Sequence, residues 1–173
     1  MLHERMEAAL NEQIKWELYS AYLYKSMEAY FQAENMPGMA SWMRVQTKEE
    51  VCHAMIMFAH VIERGGRVKL AAIDGPEVDW KSPLAVFEQA FAHEQQVTAR
   101  INALVDTAIE LKDHASNQFL QWFVTEQVEE EASASAVVGK LKLMQDAPGG
   151  LYQLDQELST RVFNLPAAAL GIV

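Results

Sequence analysis

Glu50 and His53 sit three residues apart in the stretch Lys48-Glu49-Glu50-Val51-Cys52-His53. On a helix that spacing puts both side chains on one face. A carboxylate and an imidazole side by side on an inward face make half of a metal site. Oxygen-rich ligation with one nitrogen and no thiolate disfavours a structural zinc site and suits iron or manganese.

The other half must come from elsewhere in the chain. Apolar residues at three- and four-residue spacing mark the inward stripe of each helical segment. In the first segment Leu10, Glu17, Tyr24 and Phe31 recur every seven residues. In the second, Met39, Met43, Gln46, Glu50, His53, Met57 and His60 follow one another. The third reads Leu84, Phe87, Phe91, Glu94, Thr98, Ile101, Val105 and Ala108, and the fourth Phe119, Phe123, Glu126, Glu130, Ser133 and Val137. Each stripe is broken near mid-length by a carboxylate. Four buried carboxylates at one level would repel and would each cost at least several kcal/mol unless compensated. None of the 14 Lys and Arg falls on these stripes, and Arg44 and Lys48 lie on other faces of their helix. A pair of dications would neutralise Glu17, Glu50, Glu94 and Glu130 charge for charge. The fourth helix offers Gln127-x-x-Glu130 and no second histidine, so two metal positions would differ and the one without histidine would hold its ion more loosely.

The elements that must position these residues are legible from their punctuation. Helices are expected over about 3–34, 39–64, 83–112, 117–145 and 151–162. Asn35-Met36-Pro37-Gly38 is a turn, Gly65-Gly66 a helix stop, and Ser82-Pro83 a cap followed by a first-turn proline. Asp113-His114-Ala115-Ser116 reads as a short break. The tail after Pro166 carries no strong pattern. The first four helices, at ~1.5 Å per residue, are each roughly 40–45 Å long and fit a four-helix bundle. Short turns make helices 1 and 2, and helices 3 and 4, antiparallel. The irregular stretch 67–81 can span roughly 50 Å when extended, enough to recross the bundle and leave helices 2 and 3 parallel. The expected fold is all-α, a bundle with one long crossover between helices 2 and 3 plus a short fifth C-terminal helix, in one domain over 1–173.

A net charge of -10 argues against sequence-independent nucleic-acid or membrane-surface binding; it suits a protein that attracts cations, and taken alone it reads first as simple solubility. No run of about eighteen apolar residues and no signal peptide is visible. The single cysteine, Cys52, excludes an internal disulfide and fits a cytoplasmic setting.

Glu17–Tyr24 (ELYSAYLY), Trp42–Gly66 and Asn117–Ser133 (NQFLQWFVTEQVEEEAS) carry a resemblance to the haem-free ferritins of bacteria and archaea, which covers nearly the whole chain. The resemblance implies an iron store with ferroxidase activity. Fe(II) would be oxidised by O2 or peroxide at a di-iron centre within each subunit, and Fe(III) kept as mineral inside a homo-oligomeric shell, typically of 24 subunits. By the same resemblance Glu17, Glu50 and His53 match the ligands of a first iron. Glu50 bridges to a second, completed by Glu94 and Glu130, with Gln127 a nearby polar residue. Glu49, Glu126 and Glu129 match a third iron position, and Tyr24 a tyrosine thought to donate an electron. Haem is not expected, because Val51 and Ser133 replace the methionine and histidine of the haem-binding relatives. Two rivals are a storage subunit without oxidase activity and a metal-free helical interaction module. Of the remaining residues, His60 is expected to be a satisfied core histidine. Cys52 and His93 should be structural or surface residues, Met55 and Met57 packing, and Glu131 solvated.

Overall fold

The computed structural model describes residues 1–144, 147–169 and 171. Four long helices, α1 (Glu4–Ala33), α2 (Pro37–Glu63), α3 (Pro83–Glu110) and α4 (His114–Leu143), are followed by a short α5 (Gly150–Leu158) and a 3-10 turn at Ala167–Ala169. Gln145, where the fourth helix was expected to end, lies outside the described residues.

Local signals set the ends. Asn35 and Lys112 take the left-handed conformation, with φ of 56° and 55°. The following amides close back on the helix, Met36 N–H to Phe31 O and Asp113 N–H to Ala108 O, both at 2.9 Å. Gly65 and Gly66 end α2 the same way. Ser82 caps α3 through Ala85 N–H at 3.2 Å, with Pro83 opening the first turn. The expected break at 113–116 is shorter than the sequence suggests. Asp113 accepts from Ser116 N–H at 3.1 Å and starts α4 directly at His114.

The crossover runs the length of α1. Near one end Asn11 Nδ2 donates to Arg67 O and Asn11 Oδ1 accepts from Lys69 N–H, and towards the other Ser26 Oγ donates to Glu77 O. Trp80 then packs edge-on against Tyr30. The link therefore returns to the end of the bundle where α2 begins, and α3 starts parallel to α2.

The core is two apolar clusters with a polar layer between them. One is built around Leu23, Phe31, Met39, Trp42, Phe87 and Val137. The other is built around Met6, Leu10, Ile14, Met57, Ile101 and Phe123. The stripes of α1 and α2 are buried as expected. Those of α3 and α4 are rotated from expectation. The buried face of α3 runs through Phe87, Ala90, Glu94, Val97, Ile101 and Leu104, with Phe91, Thr98 and Val105 on its flank. That of α4 runs through Leu120, Phe123, Gln127, Glu130, Ala134 and Val137, so Glu126 lies at the edge. No helix among the described residues is long and apolar enough to cross a membrane.

Candidate metal centre

The polar layer collects one carboxylate from each long helix. Glu17, Glu50, Glu94 and Glu130 are between 1 and 4% exposed, and His53 is 2% exposed. Each sits at mid-helix, where the antiparallel pairs bring the four helices to one level. His53 Nδ1 lies 3.5 Å from Glu50 Oε2 and 3.9 Å from Glu17 Oε2. Ligand atoms of Glu17, Glu50 and His53 fall within 4.8 Å of one another, and so do those of His53, Glu126 and Glu130. Two groups with a metal-ligating donor set thus share His53.

Glu17 Oε2, Glu50 Oε2 and His53 Nε2 are buried and have no hydrogen-bond partner among the described residues. Buried polar atoms are normally paired. Here the unpaired oxygens converge on one another, where a cation would satisfy them. Four other carboxylate oxygens are held. Gln13 Nε2 donates to Glu17 Oε1 at 2.9 Å, and Gln46 Nε2 to Glu130 Oε2 at 2.7 Å. The Tyr24 hydroxyl donates to Glu94 Oε1, and Gln127 Nε2 to Glu94 Oε2 at 3.2 Å. Trp122 and Phe123 stand edge-on to the His53 ring.

Electrostatics follow from this packing. Burial pushes the Glu50 carboxyl well above the usual range, and the charges of Glu94, Glu17 and Glu130 push it further. Burial raises Glu130 to about 8, aided by Glu94. Burial also raises Glu94 to about 7, against the Tyr24 and Gln127 hydrogen bonds, which lower it. The Tyr24 phenol is driven up by burial and by Glu94. Protons therefore occupy part of this cluster at neutral pH, and a cation entering it would expel them.

The three glutamates expected at a third position are less enclosed. Glu49 and Glu126 are half-buried and Glu129 is exposed. They line a polar hollow of about 210 Å³ that also reaches Glu130.

Three residues with roles here carry weak sequence signals. Gln13 was legible only as a polar residue four before Glu17. Gln46 lies in the stripe but is silent about its partner. Arg161 follows α5, far along the chain, and its Nη2 donates to Glu49 Oε2 at 2.7 Å. Glu131 is half-buried and accepts from Thr98 Oγ1 at 2.5 Å, so it is not the solvated residue expected. His60 stacks on Phe119 and hydrogen-bonds Ser116 Oγ at 3.2 Å, a satisfied core histidine. His93 is buried against Ser20 Oγ at 2.7 Å, and Cys52 is buried among apolar side chains. Arg44, away from the centre, pairs with the buried Glu28 at 2.8 Å.

Comparison with known proteins gives one consistent picture. The family model described as ferritin-like domain matches residues 7–144. The bacterial non-heme ferritin of Bacteroides fragilis is 45% identical over 161 residues, covering 93% of this chain and 100% of its own length. That of Campylobacter jejuni is 38% identical over 156 residues, covering 90% and 93%. Among solved structures, an Archaeoglobus fulgidus ferritin engineered to a closed form superposes with a TM-score of 0.93 at 53% identity, over 95% of this chain and 100% of that one. The open-pore ferritin of the same archaeon gives 0.92 at 53% identity, over 94% and 100%.

Proposed function

We propose an oxidising iron store as the function of this chain, which belongs to the ferritin family. The observation that carries this reading is the buried layer of four carboxylates and His53 with its converging unpaired atoms. Such a layer is costly without cations, and its hard oxygen donors suit iron.

Fe(II) is the substrate. Glu17, Glu50 and His53 hold one ion; Glu50, Glu94 and Glu130 hold the other, with Glu50 facing both. Gln13 and Gln46 orient Glu17 and Glu130 through their free oxygens. Gln127 and Tyr24 fix Glu94, so the role of Gln127 in this account is to position a ligand. Two Fe(II) ions supply two electrons. With two protons these reduce O2 to hydrogen peroxide, or hydrogen peroxide to water. The oxygen-rich ligation favours the Fe(III) product over Fe(II). For reduction of O2 all the way to water, which takes four electrons and four protons, a third Fe(II) and Tyr24 add one electron each, the phenolic proton passing along the existing hydrogen bond to Glu94. The second position has no dedicated histidine and opens toward Glu49, Glu126 and Glu129, a third iron site on the way out. Ferric oxyhydroxide then accumulates inside a shell of 24 copies. The whole chain, 1–173, acts as one unit in the cytoplasm, without haem.

The retention of a carboxylate on every long helix favours this account over a storage chain lacking oxidase activity. Glu50→Ala tests it. The initial rate of O2-dependent Fe(II) oxidation is expected to fall by more than about tenfold, since even outer-shell partners of metal ligands are worth ~10–100-fold. An unchanged rate would remove Glu50 from the centre and the mechanism with it.

A further inference from the structure

The hollow beside the centre contains a cation that belongs to the chain itself. Glu49, Glu126, Glu129 and Glu130 line it, and so does Arg161, which arrives from the segment after α5. Arg161 Nη2 bonds Glu49 Oε2 at 2.7 Å, and the guanidinium carbon lies 4.5 Å from the centre of the Trp42 ring. Nη1 is buried and has no hydrogen-bond partner among the described residues. An arginine that served only to pin the tail would be expected to use its buried donors. This one keeps a donor unused in an acidic hollow with room for an ion. The segment that carries it is anchored: Asp155 of α5 accepts from Met39 N–H at 2.8 Å.

We propose that Arg161 is a resident counter-cation that competes with iron for the Glu49–Glu126–Glu129 carboxylates and keeps that position weak. The proposal rests on the reading of these three glutamates as an iron position. A guanidinium stays charged at every physiological pH and meets a carboxylate as a rigid fork. An incoming ion that takes Glu49 Oε2 must break the Glu49–Arg161 hydrogen bond, and one held elsewhere in the hollow still meets the guanidinium charge. The consequence is a transit position that passes iron toward storage and does not trap it. The Trp42 face supports the guanidinium by a cation–π contact that does not depend on the bond to Glu49.

Anaerobic calorimetric titration of the assembled protein with Zn(II), which is not oxidised, tests this without reference to activity. The third ion is defined as the one lost in Glu126→Gln. Arg161→Gln is expected to bind that ion at least about tenfold tighter, with the two tighter ions unchanged. Arg161→Lys keeps the charge without the fork and is expected to lie closer to the parent than Arg161→Gln does. Stopped-flow chelation should show the third ion leaving more slowly from Arg161→Gln. A third ion bound equally by the parent and Arg161→Gln, yet weakened by Glu126→Gln, would overturn the role of Arg161 while leaving the iron position standing. If neither Glu126→Gln nor Glu129→Gln alters binding in either background, the iron position itself is wrong and the proposal falls with it. Thermal melting of each variant identifies any loss of fold.

Discussion

Glu94 and Glu130 illustrate how the centre stores its chemistry in protonation. Both have raised pKa values, about 7 and about 8, with burial the main cause. The native state therefore binds more protons than the unfolded chain between the ordinary carboxylate range and about pH 8. Their contribution to stability is full below about pH 4.5 and is lost as pH rises through 7 to 8. Glu130→Gln should accordingly raise the Tm of the metal-free protein at pH 9 by several degrees, taking ~2–4 °C per kcal/mol, and change it little at pH 5. An equal shift at both pH values would mean that Glu130 is not protonated in the native state. Metal binding has the opposite pH preference. Anaerobic Co(II) addition at pH 7 should release protons, and Glu130→Gln should release fewer. Gln127→Leu removes a donor from Glu94 and should weaken the second ion by about 10–100-fold, leaving the first intact. Much of this was legible in advance. Glu17, Glu50 and His53 stand on fully buried stripes, apolar in α1 except for Glu17 and broken in α2 also by Gln46 and His60. The α4 stripe was harder to place, because Phe119, Phe123 and Leu120 allow two registers one residue apart. Packing selects the one through Gln127. Arg161 carried the weakest signal, since nothing periodic ties a residue after α5 to Glu49 on α2.

At the scale of the elements, α5 does more than close the bundle. Met36 precedes α2 with no side-chain cap of its own. The missing cap comes from Asp155 on α5, bonded to Met39 N–H. A Cβ on Gly38 would lie 1.6 Å from the Asp155 carbonyl oxygen, so only glycine allows this approach. Asp155→Ala should cost ~1–2 kcal/mol, read as a lower Tm and faster hydrogen exchange at Met39. Gly38→Ala should be more damaging, because the whole of α5 must move. Equal exchange at Met39 in Asp155→Ala and the parent would dismiss the cap. The sequence announced the helices through Ser82-Pro83, Gly65-Gly66 and the Asn35 turn. It overstated the break before α4, where Asp113 serves at once as the end of one helix's closing turn and the cap of the next. The same carboxylate also takes Arg64 Nη1 at 3.0 Å, tying the end of α2 to the start of α4. Long-range pairings of this kind are invisible to local pattern.

For the molecule as a whole, the long crossover along α1 sets helices 2 and 3 parallel and brings the four mid-helix carboxylates into one layer. Apolar clusters on both sides shield that layer from water. Tyr22, Leu70, Val78 and Tyr152 remain more than half exposed on the single chain. In the proposed shell such side chains lie between subunits, and sizing at neutral pH should give a species of about 24 chains of 19.5 kDa each. A monomer or dimer under all salt conditions would count against the shell. The centre itself is tested most directly by rapid mixing with increasing Fe(II) in aerated buffer, following Fe(III) absorbance. A fast phase is expected that saturates at two Fe(II) per chain and disappears in Glu50→Ala. A single slow phase that shows no break at any ratio, and is the same in Glu50→Ala, would contradict it.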